Sequence, residues 1–509
     1  MKPESRLAVF RADASSTIGA GHAVRCLSLA QALAGAGWSC ALVSGCDAND
    51  ALPLPLPPGI TGVELGSIAA AEPDELTARW PDGCDLFVVD HYHRAADYER
   101  ACRPWARRIL ALDDLADRPH DCDFLLDPAA CRLASEYTDL LPEGRTILLG
   151  PAYLPLRADF AARRRHALAR RDLVEQPRRL LLSFGATDPG NATSAILDTL
   201  AQSQLQMDVD ILLGAGSPHL EAVRQKAEAA PFPAVLHVGI DNVADLLSAA
   251  DLAIGAGGGG AWERCCLGLP AILLCTATNQ HGVAESLDAA GAALVLGDIE
   301  TMRADDLRDG LQTLITDRQA RRAMGRAAAS LCDGLGARRV LGVLDPPLAH
   351  DGTAISFRPA VSADAEQVLI WQRDSGTRRY SRNPAAPDAK EHLAWFTTRL
   401  DNPDCLFNII MHGDVPAGVL RLDSRAEDGT YEISIHIAPE HLRLGIAGAA
   451  LTLARILLPG AELWAEVLAN NDASHALFCG ASYCAEGSWY VSRPRSGHGA
   501  PDILEKALP

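Results

Sequence analysis

The chain has 509 residues, 48% of them hydrophobic and 22% charged, with a formal net charge of −19. This length predicts about three domains, and the composition is that of an ordinary soluble protein. The acidic balance argues against a nucleic-acid partner, because phosphate binding needs a cationic surface, but it leaves room for a small basic nucleotide pocket.

The 14 cysteines follow no repeated spacing, and Cys265 and Cys266 are adjacent, which suits neither a disulfide framework nor a CxxC zinc site. The opening residues lack the apolar core of a signal peptide, and no run of residues reaches membrane-spanning length. We therefore expect a reduced, cytoplasmic enzyme with no membrane partner.

Apolar runs alternate with helical stretches up to about residue 165, which predicts βαβ units and a parallel sheet. Ligands of such sheets bind beyond the carboxyl ends of the strands, where this chain carries the polar segments RADASSTIGAGH, DHYH and DDL. The predicted strands cover residues 7–10, 40–43, 86–89, 109–112, 124–126 and 146–149.

His22 stands where the first strand gives way to a helix that stops at Gly35. The positive end of a helix disfavours the imidazolium, so a neutral His22 can accept a proton as a general base. Gly19 and Gly21 would let a ligand approach the backbone closely, and Asp13 in the same segment is a candidate ligand contact. A capping or simply buried histidine is the alternative interpretation.

A second alternating series begins near residue 166. Four consecutive glycines, Gly257 to Gly260, follow a strand and precede a helix, which is an arrangement that can hold phosphate oxygens. Glu263 can bind the two hydroxyls of a ribose, and Asn279 and Gln280 follow the next strand. A flexible glycine loop is the alternative. The predicted strands cover residues 180–183, 210–213, 235–238, 252–254, 271–274 and 293–296.

The glycine cluster with Glu263, Asn279 and Gln280 resembles the nucleotide site of two-domain GT-B glycosyltransferases, especially the peptidoglycan N-acetylglucosaminyltransferase. The stretch RADASSTIGAGHAVRCLSLA, with DHYH, DDLADRPHDCDFLLD, LGPAYLPLR and ERCCLGLP, is similar to the UDP-sugar hydrolases of pseudaminic acid biosynthesis. The resemblance covers about residues 5–340. It implies two Rossmann-like domains that face each other across a cleft.

This resemblance implies hydrolysis at the anomeric carbon of UDP-2,4-diacetamido-2,4,6-trideoxy-β-L-altropyranose, with inversion and release of UDP. His22 falls on the family's catalytic base, and Tyr92 falls in the sugar pocket and is counted with the catalytic residues. The family's GGSD-like loop is Gly185-Ala186-Thr187-Asp188 here. The implied substrate and UDP contacts are Asp13, Gly19, Gly21, Asn191, Gly257, Gly258, Gly259, Glu263, Asn279 and Gln280.

A metal site is the competing interpretation of Asp90, His91 and His93. The two histidines share a face only in an extended chain, and the sequence offers no third convincing ligand. We therefore expect no metal, with UDP stabilised by helix dipoles and backbone amides.

The segment after the break LDPPLAHDGT predicts a separate α+β domain with an antiparallel meander. The turn at 443–448 can expose consecutive backbone N–H groups to a pyrophosphate. It resembles the acetyl-CoA loop of GNAT acetyltransferases, although Leu442 occupies the place of the family's Arg or Gln. The implied acetyl-CoA contacts are Arg443, Leu444, Gly445, Ile446, Ala447, Gly448 and Asn471.

Glu432 is the expected base of this domain, with an exposed strand carboxylate as the alternative. Phe478 stands where the family often has a tyrosine that acts as general acid, so this role is vacant or passes to Tyr483 or water. The domain is similar to the N-acetyltransferase that acts immediately before the hydrolase in the same pathway, which serves flagellin glycosylation.

The sequence thus predicts a bifunctional enzyme that N-acetylates a UDP-linked 4-amino-4,6-dideoxy sugar with acetyl-CoA and hydrolyses the product. The alternatives are a GT-B glycosyltransferase with a degenerate acyl-CoA-binding domain, and a binding or regulatory protein. The expected domains are residues 1–165 with the catalytic histidine, 166–345 with the UDP site, and 355–509 with the GNAT fold.

Overall fold

The computed structural model describes residues 6–14, 19–45, 56–66, 69–203, 206–380, 383–426 and 429–494. Ser15 and Ser16 of the first polar segment lie outside these residues. The chain divides into two compact units, Met1–Ala337 and Arg338–Pro509.

The first sheet is parallel, with the strand order β3-β2-β1-β4-β5-β6-β7. Its strands are β1 Leu7–Ala12, β2 Ser39–Gly45, β3 Ile60–Leu65, β4 Leu86–Asp90, β5 Ile109–Leu112, β6 Phe124–Asp127 and β7 Thr146–Leu149. The helices of this part are α1 Gly21–Gly35, α2 Glu72–Arg79, α3 Ala96–Cys102 and α4 Ala158–Leu173. The strand order reverses between β1 and β4, and such a switch point is where open sheets of this kind bind ligands.

The second sheet is also parallel and has the order β10-β9-β8-β11-β12-β13. Its strands are β8 Arg179–Ser183, β9 Asp208–Leu213, β10 Ala234–Val238, β11 Leu252–Ala256, β12 Ala271–Cys275 and β13 Leu294–Asp298. Its helices are α5 Ala192–Ala201, α6 Leu220–Ala229, α7 Val243–Ala249, α8 Gly259–Cys266, α9 His281–Ala289, α10 Ala304–Thr316 and α11 Arg318–Leu331. The next helix, α12 Gly336–Leu344, spans the boundary between the two units. Here the switch point lies between β8 and β11, which are fully or largely buried because helices cover both faces.

The third sheet is mixed, with the order β14-β15-β16-β17-β18-β20-β19, and only its β17–β18 pair is parallel. Its strands are β14 Ile355–Pro359, β15 Cys405–His412, β16 Val415–Ser424, β17 Thr430–Ile437, β18 Glu462–Glu466, β19 Cys484–Glu486 and β20 Trp489–Ser492. Its helices are α13 Ala365–Arg373, α14 Ser375–Arg378, α15 Ala389–Leu400, α16 Ile446–Leu457 and α17 Asp472–Gly480.

The predicted fold class is confirmed, because two Rossmann-like parallel sheets precede a C-terminal α+β domain. The cysteines of the described residues are unpaired thiols. Within the same residues, no helix has the length and apolarity that crossing a bilayer requires.

Candidate active sites

His22 lies in the first turn of α1, at the switch point of the first sheet, and only 8% of its surface is exposed. Gly19 adopts a φ of +80°, which a residue with a side chain rarely adopts. Among the described residues, a Cβ added at Gly19 or Gly21 would meet no atom within 4 Å. The approach of a ligand to the backbone of these two glycines stays a prediction.

Asp90, at the carboxyl end of β4, orients His22. Its Oδ1 lies 2.5 Å from Nδ1 of His22, and Arg25 donates from Nε and Nη2 to the same carboxylate at 2.5 and 2.6 Å. Burial opposes ionisation of Asp90, but Arg25 and His22 together hold its pKa well below the usual range. Because an ionised carboxylate only accepts hydrogen bonds, Nδ1 carries a proton, and the lone pair of the neutral imidazole is then on Nε2.

Tyr92 and Asn279 join this site from the two parallel sheets. The Tyr92 ring packs edge-on against His22 with 4.7 Å between the ring centroids, and its hydroxyl accepts a hydrogen bond from Nδ2 of Asn279 at 3.3 Å. Burial and the neighbouring Asp114 carboxylate raise the pKa of Tyr92. Asp114 also accepts a hydrogen bond from Arg25 at 2.9 Å. Three residues predicted from separate motifs thus meet at one place.

Asp13 is engaged by the protein itself. Its carboxylate accepts hydrogen bonds from Arg11 at 2.5 Å and from the Gly45 backbone at 2.8 Å, and it pairs with Nε2 of His91 at 3.0 Å. Burial opposes its ionisation, but His91 and Arg11 hold its pKa well below the usual range. This geometry makes Asp13 a residue that positions the segment, and its predicted contact with substrate stays a prediction.

The side chains of Asp90, His91 and His93 do not converge on a common point. Asp90 binds His22 and Arg25, whereas His91 binds Asp13 and accepts a hydrogen bond from the His93 backbone at 2.9 Å. Among the described residues a different group has the spacing of metal ligands. Cys275, His281 and Asp298 have ligand atoms within 4.8 Å of one another. His281 and Asp298 already form an ion pair at 2.6 Å.

The glycine loop ends at the start of α8. Gly258 is the residue before the helix, and a Cβ added at Gly259 would meet no atom within 4 Å. Gln280 lies behind the loop, since a Cβ at Gly257 would be 3.3 Å from the Gln280 carbonyl oxygen. The Gln280 side chain accepts a hydrogen bond from the Thr276 backbone at 3.0 Å, which fixes the loop after β12. Among the described residues the loop is therefore open at Gly259, whereas the Ala261 amide is already bonded to the Gly258 carbonyl at 2.8 Å.

Glu263 lies in α8, and within the described residues its carboxylate has no hydrogen-bond or ion-pair partner. Burial raises its pKa to about 7, although the charges of Arg157 and Arg264 favour ionisation. The neighbouring Arg264 is turned away and donates to the Ala256 carbonyl. A carboxylate held without partners in the second turn of a helix can accept hydrogen bonds from the hydroxyls of a ligand.

Asn191 precedes α5 in the left-handed conformation, with a φ of +56°, and does not cap the helix. Asp188 does this instead and accepts hydrogen bonds from the backbone of Ala192 and Thr193, both at 2.9 Å. Oδ1 of Asn191 and the hydroxyls of Thr193 and Ser194 are buried without a partner in the described structure. Such groups are normally satisfied, so a ligand at this helix start would complete their hydrogen bonds.

In the C-terminal unit, the predicted acetyl-CoA loop is a turn that leads into α16. Arg443 and Gly445 have φ values of +68° and +78°, and Ile446 begins the helix. The Leu442 side chain is exposed and gives no polar contact at the place of the family's Arg or Gln. The turn therefore leads directly into the first residues of α16, and the binding of acetyl-CoA by Arg443 to Gly448 stays a prediction.

Glu432 lies where β17 and β18 separate. It faces Asp423 of β16 and Trp464 of β18, and the pairing of β17 with β18 ends at this position. In the described structure, β17 and β18 are not paired with each other beyond this position, and we refer to this unpaired stretch as the gap beside Glu432.

Tyr483 and Asn471 have structural partners. Burial raises the pKa of Tyr483 to about 12, and its hydroxyl is enclosed without a hydrogen-bond partner in the described structure. Its ring packs against Phe478 with 5.2 Å between the centroids. Asn471 caps α17 by accepting a hydrogen bond from the Ser474 backbone at 3.1 Å. These contacts are those of packing and capping residues, so the catalytic role of Tyr483 and the acetyl-CoA contact of Asn471 stay predictions.

Sequence reasoning did not find Asp90 and Arg25 as partners of His22, or Asp114 as a partner of Arg25. The sequence does contain a signal for Asp90, which directly follows the predicted strand at 86–89. If β1 and β4 pair, their carboxyl ends are neighbours, and Asp90 then lies near His22. Arg25 follows His22 by three residues, which places it on the same face of α1.

Two family descriptions match parts of the chain. Residues 355–479 match the Acetyltransferase (GNAT) domain, and residues 190–337 match the Glycosyltransferase family 28 C-terminal domain. The first match covers the loop before α16, and the second covers the glycine loop and Glu263.

Two curated relatives align with about two fifths of the chain. The spore coat polysaccharide biosynthesis protein SpsG of Bacillus subtilis is 31% identical over 205 residues, which are 40% of this chain and 59% of that protein. The chain thus spans less than two thirds of that relative. The UDP-2,4-diacetamido-2,4,6-trideoxy-beta-L-altropyranose hydrolase of Campylobacter jejuni is 27% identical over 221 residues, 43% of this chain and 74% of that protein.

Among solved structures, MurG of Acinetobacter baumannii aligns with 67% of this chain and 99% of its own length. The sequence identity is 16% and the TM-score is 0.47.

Proposed function

We propose that this chain, a homologue of a UDP-sugar hydrolase that also carries a GNAT domain, is a bifunctional enzyme of nucleotide-sugar metabolism. Its GNAT domain N-acetylates a UDP-linked 4-amino-4,6-dideoxy sugar with acetyl-CoA. Its first two domains hydrolyse the resulting UDP-2,4-diacetamido-2,4,6-trideoxy-β-L-altropyranose to UDP and the free sugar. We retain residues 1–165, 166–345 and 355–509 as the limits of the three domains.

The contact between His22 and Asp90 carries the hydrolase part of the proposal. Nε2 of His22 takes a proton from water, and the water oxygen attacks the anomeric carbon while the bond from that carbon to the UDP oxygen breaks. Attack from the face opposite the leaving group inverts the configuration. Asp90 stabilises the imidazolium that forms and keeps the ring in the orientation that presents Nε2.

UDP leaves toward the second parallel sheet. Its diphosphate is held by the first amides of α8, where backbone N–H groups and the helix dipole favour negative charge. Glu263 accepts hydrogen bonds from the ribose hydroxyls, and Tyr92 and Asn279 line the sugar. Asn191, with its unpartnered Oδ1, contributes from the start of α5.

Acetyl transfer uses the turn before α16 and the gap beside Glu432. The turn binds the pyrophosphate of acetyl-CoA through its backbone N–H groups. The sugar amine attacks the thioester carbonyl, an N–C bond forms, and the S–C bond breaks with release of coenzyme A. Glu432 accepts the proton that the amine loses.

The chemistry of the two halves fits together. The hydrolase relative acts, by its name, on a sugar that bears two acetamido groups. Each acetamido group arises from an amine and an acetyl donor, so an N-acetyltransferase supplies the substrate of such a hydrolase. A chain that joins both domains can carry out both steps.

A second candidate is a GT-B glycosyltransferase that passes the sugar to an organic acceptor, and the match of residues 190–337 to glycosyltransferase family 28 favours it. Incubation of UDP-diacetamido sugar in ¹⁸O-labelled water distinguishes the two. We expect UDP release without any organic acceptor, with one ¹⁸O in the sugar and none in UDP. UDP release that requires an acceptor would support glycosyl transfer instead.

A further inference from the structure

The C-terminal unit carries a group of two arginines and two tryptophans that the proposed acetyl transfer does not use. Arg425 follows β16, Trp464 lies on β18, Trp489 lies on β20, and Arg493 follows β20. The Arg425 guanidinium lies 4.9 Å from the Trp464 ring centroid and 4.7 Å from that of Trp489. Arg493 lies 5.9 Å from the Trp464 centroid. We refer to these four residues as the Arg–Trp cluster.

Arg425 is held by the two rings alone. In the described structure its guanidinium makes no hydrogen bond or ion pair, and its Nη1 is buried without a partner. Arg493 is committed, because it pairs with Glu462 at 3.3 Å and with Glu486 at 2.6 Å. A planar guanidinium offers five N–H donors in a fork that matches phosphate oxygens. Arg425 is therefore a fixed cation whose donors can serve an anionic ligand.

The strand register places the Arg–Trp cluster on the same face of the sheet as Glu432. Trp464 lies directly beside Glu432 on the neighbouring strand, so their side chains share a face. Trp464 faces Val491 of β20, and Trp489 is two residues from Val491 and hence on that face too. Both indole rings are only half-buried.

The helix that carries the acetyl-CoA loop lies on the opposite face. Arg455 of α16 donates to the Ser492 hydroxyl at 2.8 Å, and Ser492 is adjacent to Val491 on β20, so its side chain points the other way. An acetyl donor bound at the turn before α16 therefore reaches Glu432 from one side of the sheet through the gap between β17 and β18. The amine acceptor must come from the side of the Arg–Trp cluster.

From this juxtaposition we propose that the Arg–Trp cluster binds the nucleoside diphosphate part of the acceptor and holds its amine at Glu432. Arg425 donates to the phosphate oxygens, and the indole rings offer faces on which a pyrimidine base stacks. The inference rests on the proposed acetyl transfer and names the group by which the acceptor is recognised. It predicts that the chain has a second UDP site, separate from the one that contains Glu263.

Steady-state acetylation of the UDP-linked 4-amino sugar tests the cluster. In Arg425→Met we expect the KM of this acceptor to rise roughly tenfold or more, as for the loss of hydrogen bonds to a charged group, while the KM of acetyl-CoA is unchanged. Trp489→Leu should raise the same KM. Arg425→Lys keeps the charge but not the forked donors, so its acceptor KM should lie between those of wild type and Arg425→Met. Arg373→Met, at an exposed arginine that bonds the Pro387 carbonyl, is the control and should behave as wild type.

Calorimetry with UDP alone tests the same cluster without acetyl transfer. We expect two UDP sites per chain in the wild type and one in Arg425→Met, whereas Glu263→Ala should weaken the other site. An equal number of sites in wild type and Arg425→Met, or an unchanged acceptor KM, would overturn the inference while the proposed acetyl transfer stands. If Arg425→Met loses one UDP site but the wild-type chain shows no acetylation, the proposed acetyl transfer would be overturned. The Arg–Trp cluster would still be a nucleotide site.

Discussion

At the scale of single residues, the behaviour of His22 follows from the charge of Asp90. The buried, ionised carboxylate holds the imidazole proton on Nδ1, so the neutral ring carries its lone pair on Nε2. The same histidine without Asp90 would be free to hold its proton on either nitrogen.

His22→Asn should retain UDP affinity and lose roughly 10²–10⁴ in the rate of hydrolysis, the usual contribution of a general base. The rate of UDP release from the UDP-diacetamido sugar is the measurement. His93→Asn is the matched control, because it makes the same substitution at an exposed histidine near the site. It should hydrolyse at the wild-type rate. A His22→Asn enzyme with near wild-type turnover would reduce His22 to a structural residue.

Glu263 combines a cost in stability with a role in binding. Its pKa in the folded chain is about 7 against 4.5 for the free side chain, so folding favours its protonated form. The cost of ionising it is absent below pH 4.5, grows as the pH rises, and is complete above about pH 7. Glu263→Gln should therefore raise the free energy of unfolding at pH 8 by up to about 3 kcal/mol and leave it unchanged at pH 4.5.

Chemical denaturation at both pH values measures this change, and the exposed Glu285→Gln is the control.

In calorimetry, Glu263→Ala should weaken UDP binding by roughly 1–3 kcal/mol. If Glu263→Gln is less stable than the wild type at pH 8 and Glu263→Ala keeps the wild-type affinity for UDP, Glu263 would have a structural role instead.

At the scale of elements, the loops after β5 and β6 are held together by a buried polar network. His120 bonds Glu99 at 2.8 Å, and the Tyr137 hydroxyl lies 2.9 Å from Asp113 and 2.8 Å from Asp127. Burial opposes protonation of His120, but Asp113 and Glu99 raise its pKa to about 9. The network therefore contains an imidazolium between two carboxylates at neutral pH.

This raised pKa makes part of the stability depend on pH. The contribution is fully present below the unfolded pKa of 6.5 and is lost as the pH rises through about 9. Wild type should exceed His120→Gln in free energy of unfolding by about 2–3 kcal/mol more at pH 6 than at pH 10. Urea unfolding at both pH values measures this gap, with the exposed His166→Gln as control. A gap that does not change with pH would contradict the charged network.

The turn before α16 depends on Gly445 for two reasons. Its φ is +78°, and a Cβ there would lie 2.5 Å from Cδ2 of His350. Gly445→Val should abolish acetyl transfer and leave hydrolysis of UDP-diacetamido sugar unchanged. Gly460→Ala, where a Cβ meets no atom within 4 Å, is the control. Loss of both activities in a folded Gly445→Val protein would show that the two sites are not separate.

The elements that the sequence predicts well are the buried parallel strands. Runs such as Ile109–Leu112 and Thr146–Leu149 match their predicted bounds because continuous apolar residues between turn signals mark them. Ile60–Leu65 was missed because a threonine, a glycine and a glutamate interrupt its apolar pattern. Glu462–Glu466 was missed because glutamates form both its ends. In both strands, pairing with a neighbour outweighs local composition.

At the scale of the whole molecule, the sequence indicated candidate residues that lie together in the fold, but not their partners. Motifs next to strand ends indicated His22, Tyr92 and Asn279, and the structure brings these three together. The pairing of Asp90 with His22 spans 68 residues and depends on β1 lying beside β4, which local patterns do not determine. The Arg–Trp cluster likewise depends on the strand order of the third sheet.

The two chemistries also make the whole chain testable as a sequence of reactions. Because the proposed acetylation and the proposed hydrolysis use separate residues, a block in hydrolysis should leave acetylation intact, and the acetylated UDP-sugar should then accumulate. A block in acetylation should leave the hydrolysis of preformed UDP-diacetamido sugar intact.

Mass spectrometry of the products formed from the UDP-linked 4-amino sugar, with and without acetyl-CoA, tests this account most directly. Wild type should convert the substrate, only when acetyl-CoA is present, to UDP and the free diacetamido sugar. His22→Asn should accumulate the UDP-linked diacetamido sugar. A wild-type enzyme that adds no acetyl group, or that releases no UDP from the acetylated substrate in water alone, would contradict the account.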